Sequence, residues 1–201
     1  QNIALDEVEF IRLAKTLERM SYAPYTPIAT GHATLYFYML LGSIKIFGDT
    51  VFAVRLPSAL FGVIDSFLIY GIARLIVEKH KDILPRLEST LPFLVAFSFA
   101  TMRWYFNFAR FGFEATTVIF FELVGVYAFL MYRKTKHLRY IIFTGIAAGL
   151  AYNSYTPGRL FFILPAFFLL FETGLRQQIN FEVLKKLAIF LIYSVSPYVL
   201  Y

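Results

Sequence analysis

The sequence predicts an all-α fold: a polytopic transmembrane helix bundle, preceded by an external loop that carries amphipathic and juxtamembrane helices. Three observations predict it. The chain is 59% hydrophobic and only 16% charged over 201 residues, with a mean hydropathy of +0.64, too apolar for a soluble domain that must keep a charged surface. Its apolar stretches, among them 54–77, 113–132 and 139–155, approach or exceed the roughly 20 residues that cross a hydrocarbon core. Lys and Arg collect between those stretches, as they do in loops held against anionic headgroups.

Composition also excludes function classes. Without cysteine there is no disulfide framework, thiolate nucleophile or thiolate metal site. His32, His80 and His137 are too scattered in the chain for a metal cluster. The net charge of +6 is distributed among loops, so nucleic acid is not an expected partner. No GxGxxG after a strand, P-loop or HExxH occurs, which argues against a nucleotide-sugar or ATP site. The first ten residues carry acids rather than the basic region and apolar run of a signal peptide. Residues 186–201 stop while still apolar, so the chain is expected to be a piece of a longer protein.

The elements follow in order. Residues 7–19 place Val8, Ile11, Ala14 and Leu17 at helical spacing among Glu7, Arg12, Lys15, Glu18 and Arg19, a helix too polar to cross a membrane. The segment SYAPYTPIATGH, with Pro24, Pro27 and Gly31, blocks regular structure. Residues 33–47 are apolar but reach only about 22 Å, short of the ~30 Å core. Spans are expected at 54–77, 90–107, 113–132, 139–153, 159–172 and 186–201. The chain thus divides into an external first loop, 1–53, and a helix bundle, 54–201, incomplete at its C-terminal end.

Loop charge sets the sides. Lys79, Lys81 and Arg86, then Arg133, Lys134, Lys136 and Arg139, then Arg176, Lys185 and Lys186 mark three cytoplasmic loops. The loops near 102–113 and 154–158 then face outward. If 33–47 lies along the surface rather than spanning, the acidic LDEVEF at 5–10 joins them outside.

On that outer side Arg103, Arg110 and Arg159 break the positive-inside bias. Each alone reads equally well as an arginine snorkelling to headgroup phosphate. Three beside an acidic cluster suit a lipid-linked phosphate, because guanidinium stays charged and binds phosphate bidentately. Asp6 with Glu9 fits a helix cap, the reading that spacing alone favours; the functional alternative for Asp6 is a general base at the water boundary. Glu114 is either a helix N-terminal acid or a contact to acceptor or sugar. Asp65 and Glu122, ionisable groups inside apolar segments, show no partner in the sequence. Gly145 and Gly149 form a GxxxG for close helix packing, and Trp104 and Tyr105 fit an interfacial belt.

Five ordered blocks carry a resemblance: LDEVEF, GHATLYFYMLLGSIKIFG, FAVRLPSALFGV, FARFGFEATTVIFF and GLAYNSYTPGRLFFILP. Together they resemble the N-terminal half of the polytopic GT-C glycosyltransferases, in the superfamily of protein mannosyltransferases and aminoarabinose transferases. The resemblance implies an inverting glycosyltransferase of the multi-pass integral membrane class, in a bacterial or archaeal plasma membrane or the endoplasmic reticulum. Its active site would face the extracytoplasmic side. It would move a sugar from a polyprenyl-phosphate donor to an acceptor hydroxyl on protein, lipid or glycan. Asp6, with Glu7 beside it, matches the catalytic acidic motif of the first external loop, and residues 33–47 match that family's juxtamembrane helix. The implied substrate-binding set is His32, Arg103, Arg110, Glu114, Tyr155 and Arg159. His32 keeps a basic position, but Gly31, Ala33 and Thr34 replace the prolines and acid common in relatives. Members differ on metal use, so a divalent ion is an optional cofactor, with no ligand cluster in the sequence. The alternative is a transporter or flippase for an amphiphile, in which Asp65 and Glu122 would matter more than Asp6.

Overall fold

The computed structural model describes residues 5–20, 25–26, 32–80, 87–174 and 181–199. The described part is helical apart from one two-residue antiparallel pair, β1 (Tyr25–Thr26) with β2 (His32–Ala33). The expected breakers Pro24, Pro27 and Gly31 and the loop cations Lys81, Arg86 and Arg176 lie outside the described residues.

The helix α1 (Leu5–Glu18) and the apolar α2 (Leu35–Phe47) pack on the start of α3 (Val51–Lys79). Phe10, Leu13, Ala14 and Leu17 of α1 meet Tyr36, Phe37, Leu40, Leu41 and Ile44 of α2 in one buried cluster with Ala53 and Val54. The opposite edge of α2, Leu35 and Met39, touches a second cluster built by the later helices. Residues 35–44 are therefore covered by protein on two sides, whereas Ile46 and Phe47 at the end of α2 are exposed. The pairs Lys15–Asp49 and Lys45–Glu18 tie the solvent edge, each adding at most about 1 kcal/mol. Thr50 caps α3, accepting from the Ala53 amide at 3.1 Å.

Among the described residues two helices are long and apolar enough to cross a membrane, α3 and α6 (Ala115–Thr135). The single span expected over 90–107 is instead two helices, α4 (Thr90–Thr101) and α5 (Arg103–Arg110). The Thr101 hydroxyl bonds back to the Phe97 and Ser98 carbonyls, and Met102 turns extended between the helices. Beyond it, Arg103, Asn107 and Arg110 recur at i, i+4 and i+7, a polar face that cannot continue into an apolar span. In place of the span expected over 139–153, residues 139–152 form α7 (Arg139–Tyr152), an apolar helix of 14 residues. The helix expected from 159 starts later, as α8 (Ile163–Gly174), after a 3-10 turn over Thr156–Leu160 that holds Pro157. The last helix, α9 (Phe181–Val199), begins before 186 and carries Lys185 and Lys186 itself.

The GxxxG reading holds in the packing of α7 on α9. A side chain added at Gly149 would stand 2.3 Å from the Ser194 carbonyl, and one at Gly145 would stand 2.6 Å from that of Phe190. Only hydrogen fits at either position.

Candidate functional site

The acidic first turn of α1 divides its work by helical geometry. Successive residues point about 100° apart, so Glu7 turns inward with Phe10, Ala14 and Leu17, while Asp6 and Glu9 remain exposed. Glu7 is 2% exposed. Arg55, near the start of α3, grips it with Nε to Oε1 at 2.7 Å and Nη2 to Oε2 at 2.8 Å. The Gly112 amide donates to the same Oε1 at 3.1 Å, and the Arg55 guanidinium lies over the Phe111 ring. A bidentate, desolvated pair of this kind fixes geometry, and removing one partner costs about 3–5 kcal/mol because the other charge is left buried.

Gly112 sits in the loop between α5 and α6, flanked by Arg110 and Glu114. A Cβ there would meet the Val54 carbonyl at 2.9 Å, so glycine is what lets the loop lie against α3. Ser58, one turn beyond Arg55, accepts from the Phe113 amide at 3.0 Å and shares a 3.1 Å hydrogen bond with the buried Tyr36 hydroxyl. Burial first, and then the carboxylates Glu114 and Glu7, hold the Tyr36 phenol above its ordinary pKa against the lowering effect of Ser58. It remains a neutral hydroxyl.

Phe113 joins the segments. Its ring stacks on Phe108 at 4.9 Å and reaches Phe10 of α1 at 6.2 Å and Tyr155 at 6.3 Å. The turn carrying Tyr155 is pressed onto the bundle at Gly158, where an added Cβ would lie 2.2 Å from the Ala151 carbonyl and 2.4 Å from Val118. Three buried polar atoms around this contact have no hydrogen-bond partner: Arg159 Nε, Asn153 Nδ2 and Thr117 Oγ1. Two of them can only donate, and buried donors call for an acceptor.

The structure therefore brings together Glu7, the Arg110–Glu114 loop and the Tyr155 turn, with Asp6 at the exposed edge. Glu114 is buried, Arg110 is exposed over the Phe106 ring, and Arg159 is half-buried over Tyr152. Arg103 stands exposed at the far end of α5, about 10 Å along its axis from Arg110. The backbone of His32 pairs with Thr26, and its side chain lies outside the described residues. Asp6 is the second residue of α1, inside the helix rather than before it. Among the described residues no three His, Asp or Glu side chains are grouped to hold a metal ion.

Sequence reasoning missed Arg55, Ser58, Thr117 and Asn153. For Arg55 a signal existed: an arginine within the apolar run FAVRLPSALFGV requires a partner. Asp65 does have a partner, the Tyr105 hydroxyl, so Tyr105 is a buried donor while its neighbour Trp104 stays exposed.

Residues 31–201 match the family model described as dolichyl-phosphate-mannose-protein mannosyltransferase. No curated protein and no solved structure matches the chain significantly. The match starts at residue 31, after α1, and leaves Asp6 and Glu7 outside it. The contacts of Glu7 and Phe10 join α1 to the loop at Gly112 and Phe113 inside the matched region, and by that match the chain belongs to the dolichyl-phosphate-mannose-protein mannosyltransferase family, a family of membrane glycosyltransferases.

Proposed function

We propose that the chain transfers a sugar from a polyprenyl-phosphate donor to an acceptor hydroxyl on the extracytoplasmic side of a membrane. Asp6 accepts the hydroxyl proton as the acceptor oxygen attacks C1 of the sugar. The C1–O bond to phosphate breaks from the opposite face, its electron pair passes to the phosphate oxygen, and the anomeric centre inverts. Arg110 and Arg159 neutralise the charge that grows on the leaving phosphate. Asn153 and Thr117, whose buried Nδ2 and Oγ1 have no hydrogen-bond partner, serve as further donors, and Glu114 and Tyr155 line the acceptor or sugar side. Glu7 acts as a positioning residue, since Arg55 holds both its oxygens.

One observation carries the reading. The Glu7 carboxylate, next in the chain to Asp6, is bonded at once to α3 and to the Gly112 amide in the loop that bears Arg110 and Glu114, which supports a role for Asp6 at that end of the bundle. The transporter alternative rests on Asp65 and Glu122; Asp65 Oδ2 accepts from the Tyr105 hydroxyl, while its Oδ1 is buried without a hydrogen-bond partner.

The test is Asp6→Asn in proteoliposomes supplied with polyprenyl-phosphate mannose and a membrane acceptor fraction. Transfer is expected to fall by about 10²-fold or more with donor binding unchanged. Undiminished turnover would remove Asp6 from the chemistry.

A further inference from the structure

At the end of the bundle away from Glu7, α3 and α6 diverge around a cleft of about 440 Å³. Its inner wall is apolar, formed by Leu75, Ile76 and Leu130, and its rim is cationic, with Lys79, Arg133, Lys134 and Lys136. Lys134 is held by both carboxylate oxygens of Glu78 at 2.7 Å, an ion pair that bridges the two helices and closes one side. Lys136, in left-handed conformation at φ 61°, ends α6 and lies 5.5 Å from the Tyr132 ring centre. Lys186 of α9 approaches the same ring at 5.9 Å. Lys79 and Arg133 are exposed. The lining carries Lys79, Arg133, Lys134 and Lys136 against the carboxylate of Glu78, so its formal charge is positive beside a hydrocarbon-compatible wall.

That combination selects an amphiphile with an anionic head. A volume of this size takes a phosphate ester with the first carbons attached to it. Arginine supplies the bidentate fork for phosphate oxygens, and basic pockets between membrane helices hold anionic headgroups. A nucleotide would need an aromatic or hydrogen-bonding floor for its base, whereas the floor here is Leu75, Ile76 and Leu130. We infer that the α3/α6 cleft binds the phosphate headgroup of an anionic phospholipid, with its first acyl carbons against Leu75, Ile76 and Leu130. The site is separate from the sugar-transfer site and does not depend on it. Its occupancy ties together the ends of α3 and α6, the two longest apolar helices.

The test uses the full chain in neutral detergent, titrated with short-chain phosphatidylglycerol, short-chain phosphatidylcholine and inorganic phosphate, and read by native mass spectrometry. Phosphatidylglycerol is expected to bind and to lose about tenfold or more in affinity in Arg133→Gln/Lys136→Gln. Arg12→Gln/Arg19→Gln, with the same charge change on α1, is expected to leave it unaltered. Equal loss in both variants would reduce the effect to bulk charge and overturn the site. Phosphatidylcholine binding as tightly as phosphatidylglycerol would overturn the headgroup assignment, and inorganic phosphate binding as tightly would show a free-anion site instead. All four substituted cations are exposed, so both variants should fold, which a thermal melt checks.

Discussion

Two adjacent acids carry opposite burdens. Glu7 is buried and held by Arg55 and Gly112, whereas Asp6 is exposed. Glu7→Gln leaves Arg55 without its counter-charge and is expected to cost about 3–5 kcal/mol, seen as a large fall in the thermal midpoint in detergent. Asp6→Asn, which removes no buried contact, should stay within about 0.5 kcal/mol of the parent in the same melt, although transfer collapses. Tyr105→Phe strands the Asp65 carboxyl inside the protein and is expected to cost about 1–3 kcal/mol. The acidic cluster was visible in the sequence, but the division of labour was not. Glu7 and Arg55 are 48 positions apart, and no local pattern says which of two neighbouring carboxylates a distant guanidinium will take.

At the scale of elements, apolar runs located α3, α6 and α7 to within a few residues, because length and hydrophobicity decide those helices whatever they pack against. The break between α4 and α5 escaped because its hinge, Met102, is neither glycine nor proline. The cause lies in the polar face of α5, where Arg103, Asn107 and Arg110 share one side while Tyr105 and Ala109 face Asp65 and Gly62 of α3. The late start of α8 follows from the Pro157–Gly158 turn, which must lie against Ala151 and Val118. The GxxxG in α7 was legible because small residues at that spacing have one common use. Gly149→Ala would push a methyl group into the Ser194 backbone of α9, and a rigid neighbour cannot yield. It is expected to cost about 1–3 kcal/mol, measured as a lowered unfolding midpoint.

Across the whole molecule, exposed apolar side chains are too many and too large for a surface in water. Phe67, Phe93, Phe97 and Phe167 are each more than half exposed, Phe67 at 72%. A face of that kind suits lipid. Phe67→Arg, near the middle of α3, should hinder insertion by about 2.5–3.5 kcal/mol, read as a smaller integrated fraction in a translocation assay. The two ends of the bundle also differ. One gathers Glu7, the Gly112 loop and the Tyr155 turn; the other gathers Glu78, Lys134 and the basic cleft. Charge in the loops forecast that segregation, since the same rule that orients helices also separates their connections. The contact that closes the first end, Phe113 between Phe10 and Tyr155, depends on how three distant segments pack and has no signature in any one of them.

The meeting of the N-terminal acid with the outward arginines is the claim on which the function rests. The chain has no cysteine, so paired cysteines introduced into it report on distance without background. Asp6→Cys combined with Arg110→Cys, treated with a short bifunctional maleimide in membranes, should crosslink efficiently. Asp6→Cys with Arg133→Cys should not crosslink. Failure of the first pair, or efficient crosslinking of the second, would contradict a shared crevice at one end of the bundle.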